Sequence, residues 1–178
     1  MKKLVLTAIL IGSLVGCTAQ VQQPNIDNLI HAEPRWTYLD SSPSFDILSF
    51  VEETSRHREG RFAYVWGAAV SSQAKHKADT STGLLKFDCL TRHVASVIER
   101  DYAKGQKIRE KAFETDQWNY VKQGSIYEMY YQVACFDKRF NHRGIMIEGS
   151  IQAYWKSILD GMLAAQADRK AMQQQQTK

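Results

Sequence analysis

The sequence has little that points to catalysis, metal binding or nucleic-acid binding. It contains no G-x-S-x-G, H-E-x-x-H or P-loop motif, and none of its five histidines stands four residues from another. Setting aside Lys2 and Lys3 of an expected signal segment leaves 21 basic residues against 19 acidic ones. So small a net charge gives no general case for nucleic-acid binding. We therefore expect a protein that is not an enzyme and binds no nucleic acid.

The sequence also lacks an apolar run long enough to span a bilayer, which takes about 20 residues. Its one sustained apolar run, residues 4–14, follows Lys2 and Lys3 and is typical of a secretory signal. The run ends in Leu14-Val15-Gly16-Cys17, which resembles the lipobox of bacterial lipoproteins. The resemblance implies a signal peptide over residues 1–16 and acyl chains, palmitate among them, on Cys17. The alternative is an ordinary signal peptide with a chance cysteine.

The segment after the signal predicts a flexible connection to the membrane. Residues 17–34 are polar, contain two prolines and show no sustained period, so we expect a lipidated tether. Several acyl chains anchor a protein stably, whereas one alone binds only marginally. Lipoproteins retained in the inner membrane often carry Asp after the lipidated cysteine. Thr18 therefore favours the outer membrane, without deciding between its surface and its periplasmic face.

Only two cysteines remain once Cys17 is lipidated, and an exported protein matures in an oxidising compartment. Cys89 and Cys135 are therefore either a disulfide pair or two buried thiols. Neither has a C-x-x-C neighbour, so we expect no metal site there.

Alternation of apolar and polar residues predicts strands across the first part of the folded region. The segment from Arg92 to Tyr102 also fits a helical stripe, but Ala103-Lys104-Gly105-Gln106 resembles a hairpin turn and favours a strand. Residues 72–83 are small and polar and predict a loop. The predicted strands are Trp36–Leu39, Phe45–Val51, Arg61–Ser71, Leu85–Cys89, Arg92–Tyr102, Lys107–Phe113 and Trp118–Val121.

Two helices are predicted after these strands. Ser125 is a candidate N-cap with Glu128 completing a capping box, and apolar residues recur at helical spacing as far as Phe136. A second amphipathic helix is expected within residues 145–172, from about Met146. The predicted fold is α+β: an antiparallel sheet of about five or six strands, a helix that a Cys89–Cys135 disulfide would pin to it, and an additional long C-terminal helix.

Two groups of side chains are candidates for binding. Lys107, Arg109 and Lys111 alternate along a predicted strand, so they would share one face and could bind an acidic glycan, lipopolysaccharide or protein. The alternative is a solvated face with interspersed acids. Tyr154 and Trp155 on the last helix could anchor a partner helix or a second copy, because aromatic residues dominate interface energetics. The alternative is that this helix covers the sheet.

A set of short motifs occurs in order along the folded region. They are Trp36-x-Tyr38-Leu39, Phe45-Asp46-Ile47, Gly60-x-x-x-Tyr64-Val65-Trp66, Phe87-Asp88-Cys89 with Arg92, Tyr102 with Gly105, Trp118 with Val121, and Gly124-Ser125. This ordered set resembles the surface-adhesin protein E family of bacterial lipoproteins. The resemblance implies a small antiparallel sheet with a helix held across one face by Cys89 and Cys135, over residues 35–137. It also implies a lipid-anchored envelope location and adhesion to host matrix or serum proteins, with links to haem and dimerisation.

From these observations we expect a lipid-anchored, adhesin-like envelope protein that recognises a protein or a glycan without catalysis. Two alternatives stay open. The chain could be a periplasm-facing structural or assembly subunit that docks through its C-terminal helix. It could also carry a small ligand such as haem, although no cofactor is indicated by the residues themselves.

Overall fold

The computed structural model describes residues 35–42, 46–72, 78–114, 117–140 and 146–176. It has an α+β fold with two helices, which confirms the predicted class, but its antiparallel sheet has eight strands instead of five or six. The helices are α1 (Ile126–Phe136) and α2 (Trp155–Gln176). The strands are β1 (Arg35–Ser41), β2 (Ile47–Glu59), β3 (Phe62–Ser71), β4 (Thr80–Asp88), β5 (His93–Ala103), β6 (Gln106–Ala112), β7 (Asn119–Tyr120) and β8 (Met146–Glu148).

The sheet is a meander in which strands adjacent in sequence from β1 to β6 pair with one another. β8 returns to the far edge beside β1, and β7 pairs with the first residues of β5. The predicted hairpin turn at Lys104-Gly105 is confirmed, and a second tight turn at Gly60 joins β2 to β3. Gly60 has a φ of +59° after β2, and Lys104 and Gly105 both have positive φ between β5 and β6. Short turns with positive φ match the right-handed twist of paired strands, so they favour this sequential pairing.

The strand predictions were right in type and too short at several ends. The ambiguous segment after Arg92 is strand β5, as predicted. β2 runs through the charged segment to Glu59, and β4 begins at Thr80 inside the predicted loop. The extra length of β2 includes a bulge, where Ser55 donates to the Glu52 carbonyl at 2.7 Å and accepts from the Trp66 amide at 2.9 Å.

Side chains on the two sheet faces form two separate hydrophobic clusters. The face covered by α1, called the α1 face, holds Ala63 and Val65 of β3, and the opposite face, called the α2 face, holds Tyr64 and Trp66. Successive side chains of β3 therefore point to opposite faces of the sheet, as expected for a strand. Both faces are covered by a helix, so apolar side chains are buried on each side.

The C-terminal end of α1 is fixed to the sheet in three places. The Arg56 Nε donates to the Ala134 carbonyl at 3.0 Å, and the Arg58 guanidinium donates to the Cys135 carbonyl at 3.1 Å. These cations satisfy carbonyls that have no partner within the helix and offset the negative end of its dipole. The Cys89–Cys135 disulfide joins the same end to the residue that follows β4, which confirms the predicted pinned helix.

The N-terminus of α1 begins after Ser125 as predicted, but the predicted capping box is wrong. The Ser125 hydroxyl donates to the Lys122 carbonyl at 2.6 Å and makes no cap bond to the first turn. The Glu128 carboxylate accepts from the Gly124 amide at 2.7 Å and also binds Arg92. Arg92, in the turn before β5, holds the other oxygen of that carboxylate.

The predicted start of the C-terminal helix at Met146 is also wrong. Met146–Glu148 form strand β8, and α2 begins only at Trp155, after Gly149 with a φ of +91°. Of the predicted apolar stripe, only Ile147, Ile151 and Met162 are buried. No helix among the described residues is long and apolar enough to cross a bilayer.

Candidate binding groove on the α1 face

Helix α1 covers only one half of its sheet face. Beneath the helix the strands carry large side chains such as Val51, Val65 and Phe87. Beyond its N-terminal end the same strands carry small ones, which leaves an open groove of about 470 Å³. The small residues in the groove are Ser49, Gly67, Ala69, Ser71, Ser81, Gly83 and Ser96.

Tyr130 and Tyr127 of α1 form one wall of this groove. The Tyr130 ring lies directly on Gly67, because a Cβ at that position would stand 2.9 Å from two ring atoms. Its hydroxyl lies 3.0 Å from the Phe50 carbonyl and 3.2 Å from that of Ala68, and burial raises the pKa of the Tyr130 phenol. The wall is therefore fixed through the sheet backbone, while Tyr127 beside it is 45% exposed.

The opposite rim of the groove is charged and predominantly acidic. Glu99 and Asp101 of β5 contribute two carboxylates beside the guanidinium of Arg109, and Asp46, which precedes β2, adds a third on the other side of the groove. Asp101 is buried and accepts from both Ser81, at 2.7 Å, and Arg109. This hydrogen bond and the charge of Asp101 raise the pKa of Arg109. Glu99 pairs more loosely with Arg109, at 3.7 Å, and its side chain is 40% exposed.

The described lining of the groove offers hydroxyls, carboxylates and tyrosines, and no histidine or cysteine lies among these described residues. Among the described residues, no group of three His, Cys, Asp or Glu side chains is placed to hold a metal ion. The floor strands pair with both neighbours, so a ligand would contact side chains and not an open sheet edge.

Of the three basic residues that were predicted to share a strand face, Arg109 and Lys111 do so, opposite Asp101 and Glu99, whereas Lys107 does not. The register shifts between Asp101 and Tyr102, which are opposite Arg109 and Lys107, so these two cations lie on opposite faces of β6. That part of the prediction is wrong, because a bulge breaks the period of two. Lys107 pairs with Glu110 at 2.8 Å, and Lys111 lies 4.2 Å from the Phe113 ring centroid. Only Arg109 lines the groove.

The other predicted site residues lie away from the groove. Tyr154 and Trp155 stand where α2 begins, on the segment that covers the α2 face, with Tyr154 45% exposed and Trp155 partly buried. Cys17 lies outside the described residues. The sheet thus separates the aromatic pair from the basic residue at the groove.

Sequence reasoning missed the small residues that form the groove, although a signal was present. Gly67, Ala69 and Ser71 alternate on one side of β3, and Ser81 and Gly83 do so on β4. Strands with consistently small side chains on one face cannot fill a core there. That alternation could have indicated a concave surface.

Comparison with known proteins gives one match. A family model described as surface-adhesin protein E matches residues 36–136, which is more than half of the chain. The matched range contains α1, the disulfide and every described residue of the groove, and it stops before β8 and α2. No curated protein and no solved structure matches the chain.

Proposed function

Because this chain belongs to the surface-adhesin protein E family, we propose that it is a lipid-anchored binding protein of the bacterial outer membrane. It recognises a protein or a glycan and carries out no reaction. The family description supports a surface adhesin, and the lipobox-like sequence ending at Cys17 supports the anchor.

The observation that carries this proposal is the uncovered half of the α1 face. A protein that needed only stability would fill that half with large apolar side chains, since each one buried contributes about 1.5–3 kcal/mol. Instead Ala69, Ser81 and Gly83 keep a concavity open beside two tyrosines. Volumes of this order are typical of ligand sites.

The tether is consistent with this role. Seventeen residues separate Cys17 from Arg35, where β1 begins. A fully extended chain of that length spans at most about 60 Å, so the domain can stand well clear of a lipid surface.

Proteinase treatment of intact and of lysed cells, followed by blotting for this chain, tests the proposal. Loss of the chain from intact cells is expected for a surface adhesin. A Cys17→Ser variant serves as the control, because it is expected to leave the membrane fraction. Protection in intact cells and digestion only after lysis would contradict surface adhesion.

That second result would favour a periplasm-facing subunit that docks through α2. The observation behind this alternative is the exposure of α2 after Met162: every described side chain from Leu163 to Gln175 is exposed except that of Gln166, which is partly buried and donates to Ser72 at 3.1 Å. A helix polar on all sides often bridges to another body. Such a body could be an assembly partner or a second copy.

A haem carrier has no support from the described histidines. His57 lies beside Glu59 and Tyr64, and His93 lies beside Thr91 and Tyr120, so neither reaches the groove. Absence of a Soret shift when haem is added to the purified protein would remove this alternative.

A further inference from the structure

We infer that the groove binds an extended peptide through a lysine or arginine side chain. The aliphatic stem of that side chain lies on the apolar floor, and its cation meets the acidic rim. This inference rests on the proposed binding function and names the chemistry of the partner.

The floor of the groove fits an aliphatic stem. Ala69, Gly83 and Leu85 give it apolar surface across two neighbouring strands, beside the serine hydroxyls of the lining. Lysine and arginine bury their methylene stems on such surfaces while their charged ends stay in water. The open volume of about 470 Å³ accommodates more than one side chain of an extended segment.

The rim supplies the matching charge. The described lining carries the carboxylates of Asp46, Glu99 and Asp101 and the guanidinium of Arg109, which is a formal excess of two negative charges. Asp101 is held by Arg109 and Ser81, whereas Glu99 has a looser contact with Arg109, at 3.7 Å. Glu99 also stands opposite Lys111, whose ammonium lies over the Phe113 ring. We assign Glu99 as the residue that selects the charge of the ligand.

The tyrosine wall favours the same ligand. Tyr127 is exposed in the first turn of α1 and is backed by Tyr130, at 6.4 Å between ring centroids. A cation over a tyrosine face is attracted by the ring quadrupole. The positive end of the α1 dipole would repel a cation, but the Glu128 carboxylate in the first turn offsets this repulsion.

Fluorescence anisotropy of labelled peptides with the full-length protein in a non-ionic detergent tests the inference. The probe is a nonapeptide in which lysine alternates with valine. One counterpart carries norleucine in place of lysine, which keeps the stem and removes the cation, and another carries glutamate. We expect the lysine peptide to bind at least about fivefold more tightly than the norleucine peptide, and the glutamate peptide to bind least.

Two matched variants separate the groove from general electrostatics. Glu99 and Glu110 lie on the same hairpin with side chains 40% and 39% exposed, and each pairs with an arginine. Glu99 faces the groove, whereas Glu110 pairs with Arg100, which lies over Trp66 on the α2 face. Both Glu→Gln changes remove one negative charge. We expect Glu99→Gln to weaken the lysine peptide about fivefold and Glu110→Gln to leave it unchanged.

A second pair of variants fills the groove. Gly83→Leu places a side chain on the floor, where the first added carbon would lie 3.4 Å from the Ile98 carbonyl. Ser96→Leu does the same from β5 and guards against a folding defect at Gly83. Variants with an unchanged thermal midpoint are expected to lose binding of both the lysine and the norleucine peptides.

The inference is overturned if Glu99→Gln and Glu110→Gln weaken the lysine peptide equally, or if folded groove-filling variants bind as the parent does. It is also overturned if no peptide binds while a saccharide does and the Gly83→Leu variant loses it. In that case the proposed binding function survives with a different ligand. Protection from proteinase in intact cells tests that function independently.

Discussion

The contact between Gly67 and Tyr130 offers a sharp test of how α1 is seated on the sheet. A Cβ at position 67 would stand 2.9 Å from Cε1 and Cζ of Tyr130 and 3.1 Å from its hydroxyl oxygen. Because the ring is buried and its hydroxyl is bonded to the sheet, it cannot turn aside freely. Gly67→Ala must therefore displace the ring or bend the strand.

The expected cost can be worked from three contributions. Overpacking a tight core costs about 1–3 kcal/mol. Weakening the hydroxyl bond to the Phe50 carbonyl adds about 1 kcal/mol. Removing glycine flexibility from the unfolded chain returns about 0.4–1 kcal/mol. We expect Gly67→Ala to lower the free energy of unfolding by about 2 kcal/mol, from urea unfolding followed by the fluorescence of the buried tryptophans.

The control is Gly83→Ala on the next strand, where the nearest atom to the new Cβ is 3.4 Å away. Its free energy of unfolding should stay within about 0.5 kcal/mol of the parent. In a Tyr130→Leu background the ring is gone, so Gly67→Ala should cost much less than in the parent. If Gly67→Ala lowers the free energy of unfolding equally in both backgrounds, contact with the Tyr130 ring is not the cause of the destabilisation.

Three further outcomes are expected. Cys89→Ser or Cys135→Ser should lower stability by about 4 kcal/mol, the chain-entropy figure for a loop of this length; equal thermal midpoints with and without reductant would contradict this. Burial alone would raise the pKa of Asp88. Hydrogen bonds from the Thr91 side chain and from the Leu90 and Thr91 amides, together with the charge of Arg61, instead hold this pKa below the ordinary value of 3.8. Stability should therefore be present above about pH 3.8 and fall as the pH drops through the lowered pKa, and Asp88→Asn should flatten that fall. Met162→Ala should cost about 2 kcal/mol and Leu163→Ala under about 0.5, measured by thermal unfolding, because only Met162 is buried.

Much of the fold could be predicted because local patterns report which side of an element is buried. The alternation along β3 assigned its side chains to the two faces correctly. The helical spacing within α1 placed Tyr130 and Val133 in the core, although Phe136 is 65% exposed. The hairpin turn at Lys104–Gly105 identified β5 as a strand despite its helical stripe, because a tight turn of this kind joins paired strands.

The candidate site could be predicted only in pieces. The small residues of the groove are visible as an alternation, but nothing local says that α1 stops short of them. The position of the helix depends on Arg56 and Arg58 of β2 and on the disulfide, which together hold its C-terminal end. Lys107 was assigned to the wrong face of β6 because a bulge is a property of the pair of strands and leaves no clear mark in one of them.

The sequence by itself determined the α+β class, the order of most strands, the pairing of Cys89 with Cys135 as one of two alternatives, and the position of α1. Only the tertiary structure decided that Met146–Glu148 is a strand, since three residues adopt that conformation by pairing with β1. It alone decided that a groove remains open on the α1 face. The physical reason is that periodicity encodes the burial of a segment, whereas a strand edge and a cavity exist only between segments brought together by the fold.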